Sequence, residues 1–128
     1  MQLGTAQPQS IDLLLASTDS GKFIAALEFA MAQMALGKKA RLFLQGEAAV
    51  LLQLPLSAPQ DTARTAAGFP DLAGLLAEAA DMGLSLIVCQ SGLLIAGLTP
   101  DAIWPQAEIS GLISFLASGS KAQAPLIF

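Results

Sequence analysis

Three short apolar runs, each bounded by turn-forming residues, restrict this chain to a narrow set of architectures: Ile11 to Ala16 ("IDLLLA"), Ala40 to Gln45 ("ARLFLQ") and Leu84 to Cys89 ("LSLIVC"). The stretches between them have helical period. From Ser20 to Gly37, the residues Phe23, Leu27, Ala30, Met31 and Met34 fall at three- and four-residue steps and share one face. Gly37 suits a C-terminal cap, with Lys38 and Lys39 near the negative end of the helix dipole. Pro70 suits a first helical position and Asp71 a positive helix start, and Leu72, Leu75, Leu76 and Ala79 form the stripe of a helix ending at Gly83. Gly46 to Gln53 reads as a short helix, and Leu54 to Phe69, rich in Pro, Ser, Thr and Gly, as a mobile connection. A further amphipathic helix is expected from Glu108 to Ala117, burying Ile109, Leu112, Ile113 and Leu116. "APLIF" then closes the chain as a last strand, and Ile103 with Trp104 adds a short strand limited by Pro105. Strands alternating with helices imply a parallel sheet covered on both faces, an α/β three-layer sandwich in one domain over residues 1–128.

Composition narrows the function. At 54% hydrophobic and only 12% charged, the chain carries an apolar surface that is expected to be hidden by association. Its apolar runs are too short for a membrane span, and "MQLGTAQPQS" has neither the basic nor the apolar part of a secretory signal, so a cytoplasmic location is expected. A net charge of −4, with Lys38, Lys39 and Arg41 as the sole basic cluster, argues against nucleic acid as a partner. The chain contains no histidine, which removes Ser-His-Asp and Cys-His mechanisms and the common zinc sites. Its single cysteine, Cys89, can form neither an internal disulfide nor a Cys-x-x-Cys pair, so thiol chemistry here requires a partner molecule.

Ligands of parallel α/β sheets gather beyond the carboxyl ends of the strands. Two segments fall there: Ser17 to Gly21 after the first strand, and Cys89 to Gly92 after the third. They are close in space if those strands are neighbours. "ASTDSGKF" nearly spells the phosphate-binding loop, but Ala16 stands at its first glycine and Phe23 at its magnesium-binding hydroxyl. Thr18, Asp19 or Ser20 serves equally well as a helix cap, and the exposed N–H groups there as a weak anion site. Cys89 also has two readings. A free cysteine after "LSLIV" packs readily as a small hydrophobe, yet one at a strand's carboxyl end, just before a helix that starts at Gln90 or Ser91, meets unpaired N–H groups that favour the thiolate.

Longer segments add a resemblance. "ALEFAMAQMALGKKARLFLQGEAAVLL" places the Gly37 turn before a strand that ends near Gly46 and Glu47; a later strand ends at Cys89, with Gly97 a fixed distance on. "SGLISFLAS" and "APLIF" follow as a closing helix and a strand ending in phenylalanine. In order and spacing, from Ile11 to Phe128, these features resemble the DsrE/DsrF-like family, which includes the TusD-type sulfur-relay subunits. The resemblance implies a mostly parallel sheet of about five strands, assembly into oligomers, and a cysteine at this position that carries sulfur as a persulfide. Of the family's functional residues only Cys89 carries over as catalytic. Where TusD-type members have basic residues before the glycine, this chain has Leu94, Ile95 and Ala96, which implies a different docking surface.

A sulfur carrier of this kind needs neither metal nor organic cofactor, only donor and acceptor proteins. Gln90, Ser91 and Gly92 are the expected N–H cradle of the sulfur, and Ser17, Thr18 and Ser91 supply hydroxyls at the mouth. The rival reading is a non-catalytic module, binding a small anion or assembling with itself, in which Cys89 is structural. Gly92 to Leu98 is too consistently apolar for water, so a homo-oligomer using that segment or the faces near it is expected.

Overall fold

Alternating burial along the strands decides how the layers stack. The computed structural model describes residues 10–120 and 123–128. In β1 (Ser10–Leu15), β2 (Lys39–Leu44) and β3 (Ser85–Cys89), one set of side chains, Leu13, Leu15, Leu42, Leu44, Leu86 and Val88, enters one core. The intervening Phe43, Ile87 and Cys89 enter a second, smaller core on the opposite face. Period-2 side-chain geometry dictates this division.

The larger core is covered by α1 (Ser20–Ala35) and α3 (Leu72–Met82). Phe23, Leu27 and Ala30 of α1 are buried, as the spacing predicts, and so are Leu72, Leu75, Leu76 and Ala79 of α3. Each buried leucine contributes about 2 kcal/mol. Asp19 caps α1 by accepting from the Lys22 N–H at 2.9 Å, and Asp71 caps α3 by accepting from the Gly74 N–H at 2.9 Å. Gly83 ends α3 at φ 102°, a conformation that only glycine adopts cheaply.

Five parallel strands lie in the order β4-β3-β2-β1-β5, with β4 (Glu108–Ser110) and β5 (Leu126–Ile127) at the edges. This is the three-layer α/β arrangement that the alternation predicts. The chain winds outward from β1 to β4 and then returns to pair β5 with β1. β2 therefore separates β1 from β3, and the two are not neighbours.

Several local expectations change. Glu108–Ser110, expected as the start of a helix, pairs with Ile87–Cys89 instead, because the open edge of β3 satisfies its backbone groups. The helix that follows, α5 (Leu112–Ala117), has six residues and buries Phe115, whereas Ile113 is 85% and Leu116 49% exposed. Phe115 stacks on Phe43 with ring centroids 4.9 Å apart, and that large aromatic contact sets the helix rotation. Leu54 to Phe69 contains α2 (Asp61–Ala66) and is tied down by side chains. The Asp61 carboxylate accepts from the N–H groups of Ala58 and Leu72, and Arg64 donates to the Pro70 carbonyl. Gly46–Leu52 is a 3-10 helix, and Ile103 forms a single antiparallel bridge to Gln53 rather than a strand.

Asp12 is a buried charge, 8% exposed, and Arg41 beside it on β2 accounts for it. The guanidinium donates to both carboxylate oxygens at 2.8 and 2.9 Å, to the Phe115 carbonyl at 2.9 Å and to Ser118 Oγ at 2.9 Å. It also lies 4.2 Å from the Phe115 ring centroid. A six-residue helix has no stability of its own. This cation and the Phe43 stack hold α5 against the sheet.

Candidate functional site around Cys89

Cys89 is the last residue of β3 and immediately precedes α4 (Gln90–Ala96), so the chain passes from strand to helix at the thiol. Its side chain points into the smaller core beside Phe43, Ile87 and Phe115, and the residue is 3% exposed. Ser91, on the surface, reaches back to it: Oγ lies 3.1 Å from Sγ. The backbone N–H groups of Ser91 and Gly92 face the sulfur from the first turn of α4, and that of Gly46 faces it from the end of β2. Burial pushes the thiol pKa up, but the Ser91 hydroxyl and these three N–H groups together outweigh it, and the pKa falls below the ordinary thiol value.

Gly46 reaches the sulfur because β2 and β3 are paired in register, Leu44 opposite Val88, so the two strands end side by side. Gly46 takes φ 56° to turn out of the strand. Gly92 makes the close approach possible. A Cβ there would sit 2.1 Å from the Gly46 carbonyl oxygen and 2.8 Å from its carbon, inside any permissible contact. Glycine at both positions lets α4 lie directly on the turn after β2.

The expected site residues divide into two groups. Gln90, Ser91 and Gly92 lie with Cys89 in the first turn of α4. Ser17 and Thr18 lie two strands away, after β1, where they line a cavity of about 350 Å³ with Ala16, Gln45, Glu47 and Ala48. Ser17 Oγ accepts the Asp19 N–H at 3.0 Å. The hydroxyls of the first loop therefore do not meet the sulfur; the turn after β2, between the two groups, does. Gly46 as a donor to Cys89 is legible in the local sequence only as a turn glycine, since its role depends on which strand lies beside β3.

The family model of the DsrE/DsrF-like family matches residues 13–128. The chain belongs to the DsrE/DsrF-like family. This DsrE/DsrF-like chain also resembles a solved structure, that of the protein of unknown function MTH1491 from Methanobacterium thermoautotrophicum. The two share 13% identity over 93% of this chain and 98% of that one, with a TM-score of 0.67, a likeness of fold alone. None of the curated proteins matches the chain. Family membership is consistent with a role in sulfur relay. Among the described residues of this family member, no helix is long and apolar enough to cross a membrane.

Proposed function

We propose that this protein is a cytoplasmic sulfur carrier that holds sulfane sulfur as a persulfide on Cys89 and passes it to a partner thiol. One observation carries the reading: the sulfur at the end of β3 is faced by N–H donors from two separate elements and by a surface hydroxyl, Ser91. Core packing alone requires none of these donors. They lower the cost of an anionic sulfur, and a thiolate is the nucleophile in thiol–persulfide exchange.

The exchange balances without a cofactor. The Cys89 thiolate attacks the outer sulfur of a donor R–S–SH; a new S–S bond forms on Cys89, the donor's S–S bond breaks, and R–S⁻ leaves with the electron pair. In the second half, an acceptor thiolate attacks the outer sulfur of Cys89–S–SH, takes it, and regenerates the Cys89 thiolate. Nothing is oxidised or reduced overall. Gln90, Ser91 and Gly92 are assigned to holding the sulfur anion before and after transfer, with Ser17 and Thr18 assigned to the neighbouring ligand cavity.

Assembly with further copies belongs to the same proposal. Leu94 and Ile95 of α4 are 75% and 76% exposed within one turn of the Cys89 loop, while Gly92 and Leu93 are buried. Covering the outward pair by a second chain hides apolar surface and shields a labile persulfide from water.

The burial of Cys89 supports one alternative, a structural cysteine in an assembly module. Intact-mass analysis after incubation with a persulfide donor separates the two. The native chain is expected to gain one sulfur atom and Cys89→Ser none, with both chains folded, as shown by the same circular dichroism spectrum. Sulfur on the serine variant, or none on the native chain, overturns the carrier reading.

A further inference from the structure

Sulfur transfer brings a second sulfur within bonding distance of the one on Cys89, and the folded chain leaves little path for it, since the residue is 3% exposed. Close packing has no slack for an added atom. One of the elements around the thiol therefore has to move, and the two that border it differ in what their movement does to the chemistry. The first turn of α4 supplies the Ser91 hydroxyl and the N–H groups of Ser91 and Gly92, and Gly92 lies against the Gly46 carbonyl with no room even for a methyl group. Displacing α4, or turning the Ser91 side chain away, removes donors that favour the thiolate. Access on that side competes with activation.

α5 supplies none of those donors. It begins beside the thiol, because Ser110, the strand partner of Cys89 on β4, leads through Gly111 directly into it. From there it covers the small core that holds Cys89: Phe115 is buried with Phe43 and Ile87, and Leu112 packs against the group, while Ile113, Ser114, Leu116 and Ala117 are exposed. Six residues with one buried side chain are weakly held by packing. The other fastening is at its far end, where Arg41 donates to the Phe115 carbonyl and to Ser118 Oγ and is braced from behind by Asp12. Arg41 lies opposite Ser85, four residues from Cys89 along β3, so this fastening is about 13 Å from the sulfur at the usual strand rise. Glycines at both ends of α5, Gly111 and Gly119, give the backbone freedom to turn there.

We infer that α5 is the gate to Cys89 and that Arg41, braced by Asp12, is its latch: the sulfur is reached when α5 swings off the sheet while α4 and the Gly46 turn stay in place. The open state exposes the thiol with its activating donors intact. This deepens the carrier reading and rests on it for its purpose, but opening is read by alkylation, which needs no sulfur donor.

Alkylation of Cys89 by iodoacetamide is followed by intact mass at urea concentrations below the unfolding transition, each rate being taken on the high-pH plateau so that thiol ionisation does not enter. The logarithm of the rate is expected to rise with urea at no more than about a third of the slope for global unfolding, since that slope scales with the surface exposed. Ser118→Ala, at an exposed position, is expected to raise the rate about threefold, and the charge-neutral pair Asp12→Asn with Arg41→Gln about tenfold, as loss of one hydrogen bond and of an ion pair allows. Ile24→Val lowers overall stability from the larger core without touching α5, and is expected to leave the rate unchanged. A urea slope equal to that of global unfolding overturns the gate. Acceleration by Ser91→Ala with no effect of either latch variant places the entrance at α4 and overturns it as well, leaving the carrier reading standing. If the latch variants speed alkylation but no chain gains sulfur from a persulfide donor, the carrier reading falls and α5 remains the cover of the thiol.

Discussion

At Cys89, opposing forces act on one atom. Burial disfavours the thiolate, while the Ser91 hydroxyl and the N–H groups of Gly46, Gly92 and Ser91 favour it, and the donors win. Alkylation of the folded chain by iodoacetamide is therefore expected to rise with pH at a midpoint below that of the urea-unfolded chain. Ser91→Ala is expected to move the folded midpoint upward by removing the strongest of the donors. Coincident midpoints for folded and unfolded chains contradict the donor geometry. The same shift affects stability. Because folding lowers this pKa, the folded chain gains stability as pH rises toward the ordinary thiol value and loses it as pH falls through the folded value, a slope that Cys89→Ser removes. The cysteine and its position before a helix start were legible in the sequence. That Ser91 folds back to the sulfur and Gly46 reaches it from another strand was not, because both contacts depend on how β2 and β3 are paired.

At the scale of elements, the site depends on α4 lying against the turn after β2. The Gly92 position has no room for a methyl group, so Gly92→Ala is expected to cost about 3 kcal/mol as α4 and the Gly46 turn are forced apart. Gly111→Ala is the matched control: Gly111 has φ −96° and nothing within 4 Å of an added Cβ, and the unfolding free energy from urea titration is expected to stay within a few tenths of a kcal/mol of the native chain. An equal effect of the two substitutions rules out the close approach. Elements α1 and α3 were legible because their apolar faces and caps are local signals. The register of α5 was not, since Ile113 and Leu116 fit an apolar stripe as well as Phe115 does, and the choice is made by Phe43 and Arg41 on β2.

The whole molecule leaves apolar side chains on several outer elements: Leu94 and Ile95 on α4, Ile113 on α5 and Ile127 on β5. A stable assembly of identical chains that covers α4 is expected at micromolar concentration. Light scattering of the native chain is expected to give a multiple of 13.1 kDa, and the double substitution Leu94→Asp, Ile95→Asp a smaller species with unchanged secondary structure by circular dichroism. A native chain that scatters as a monomer contradicts the oligomer proposal.

By itself the sequence determined the strand and helix alternation, hence the parallel α/β class, and the place of the lone thiol at a strand's carboxyl end. These are short-range properties, written in period, caps and turn residues. Tertiary structure alone decided the strand order, which puts β2 between β1 and β3. That order keeps Ser17 and Thr18 away from the sulfur and brings Gly46 to it. It also turned Glu108–Ser110 into an edge strand and rotated α5 onto Phe115. The physical reason is common to all of them: strand neighbours are chosen by contacts between segments remote in the chain, where backbone pairing and side-chain packing outweigh what each segment prefers alone.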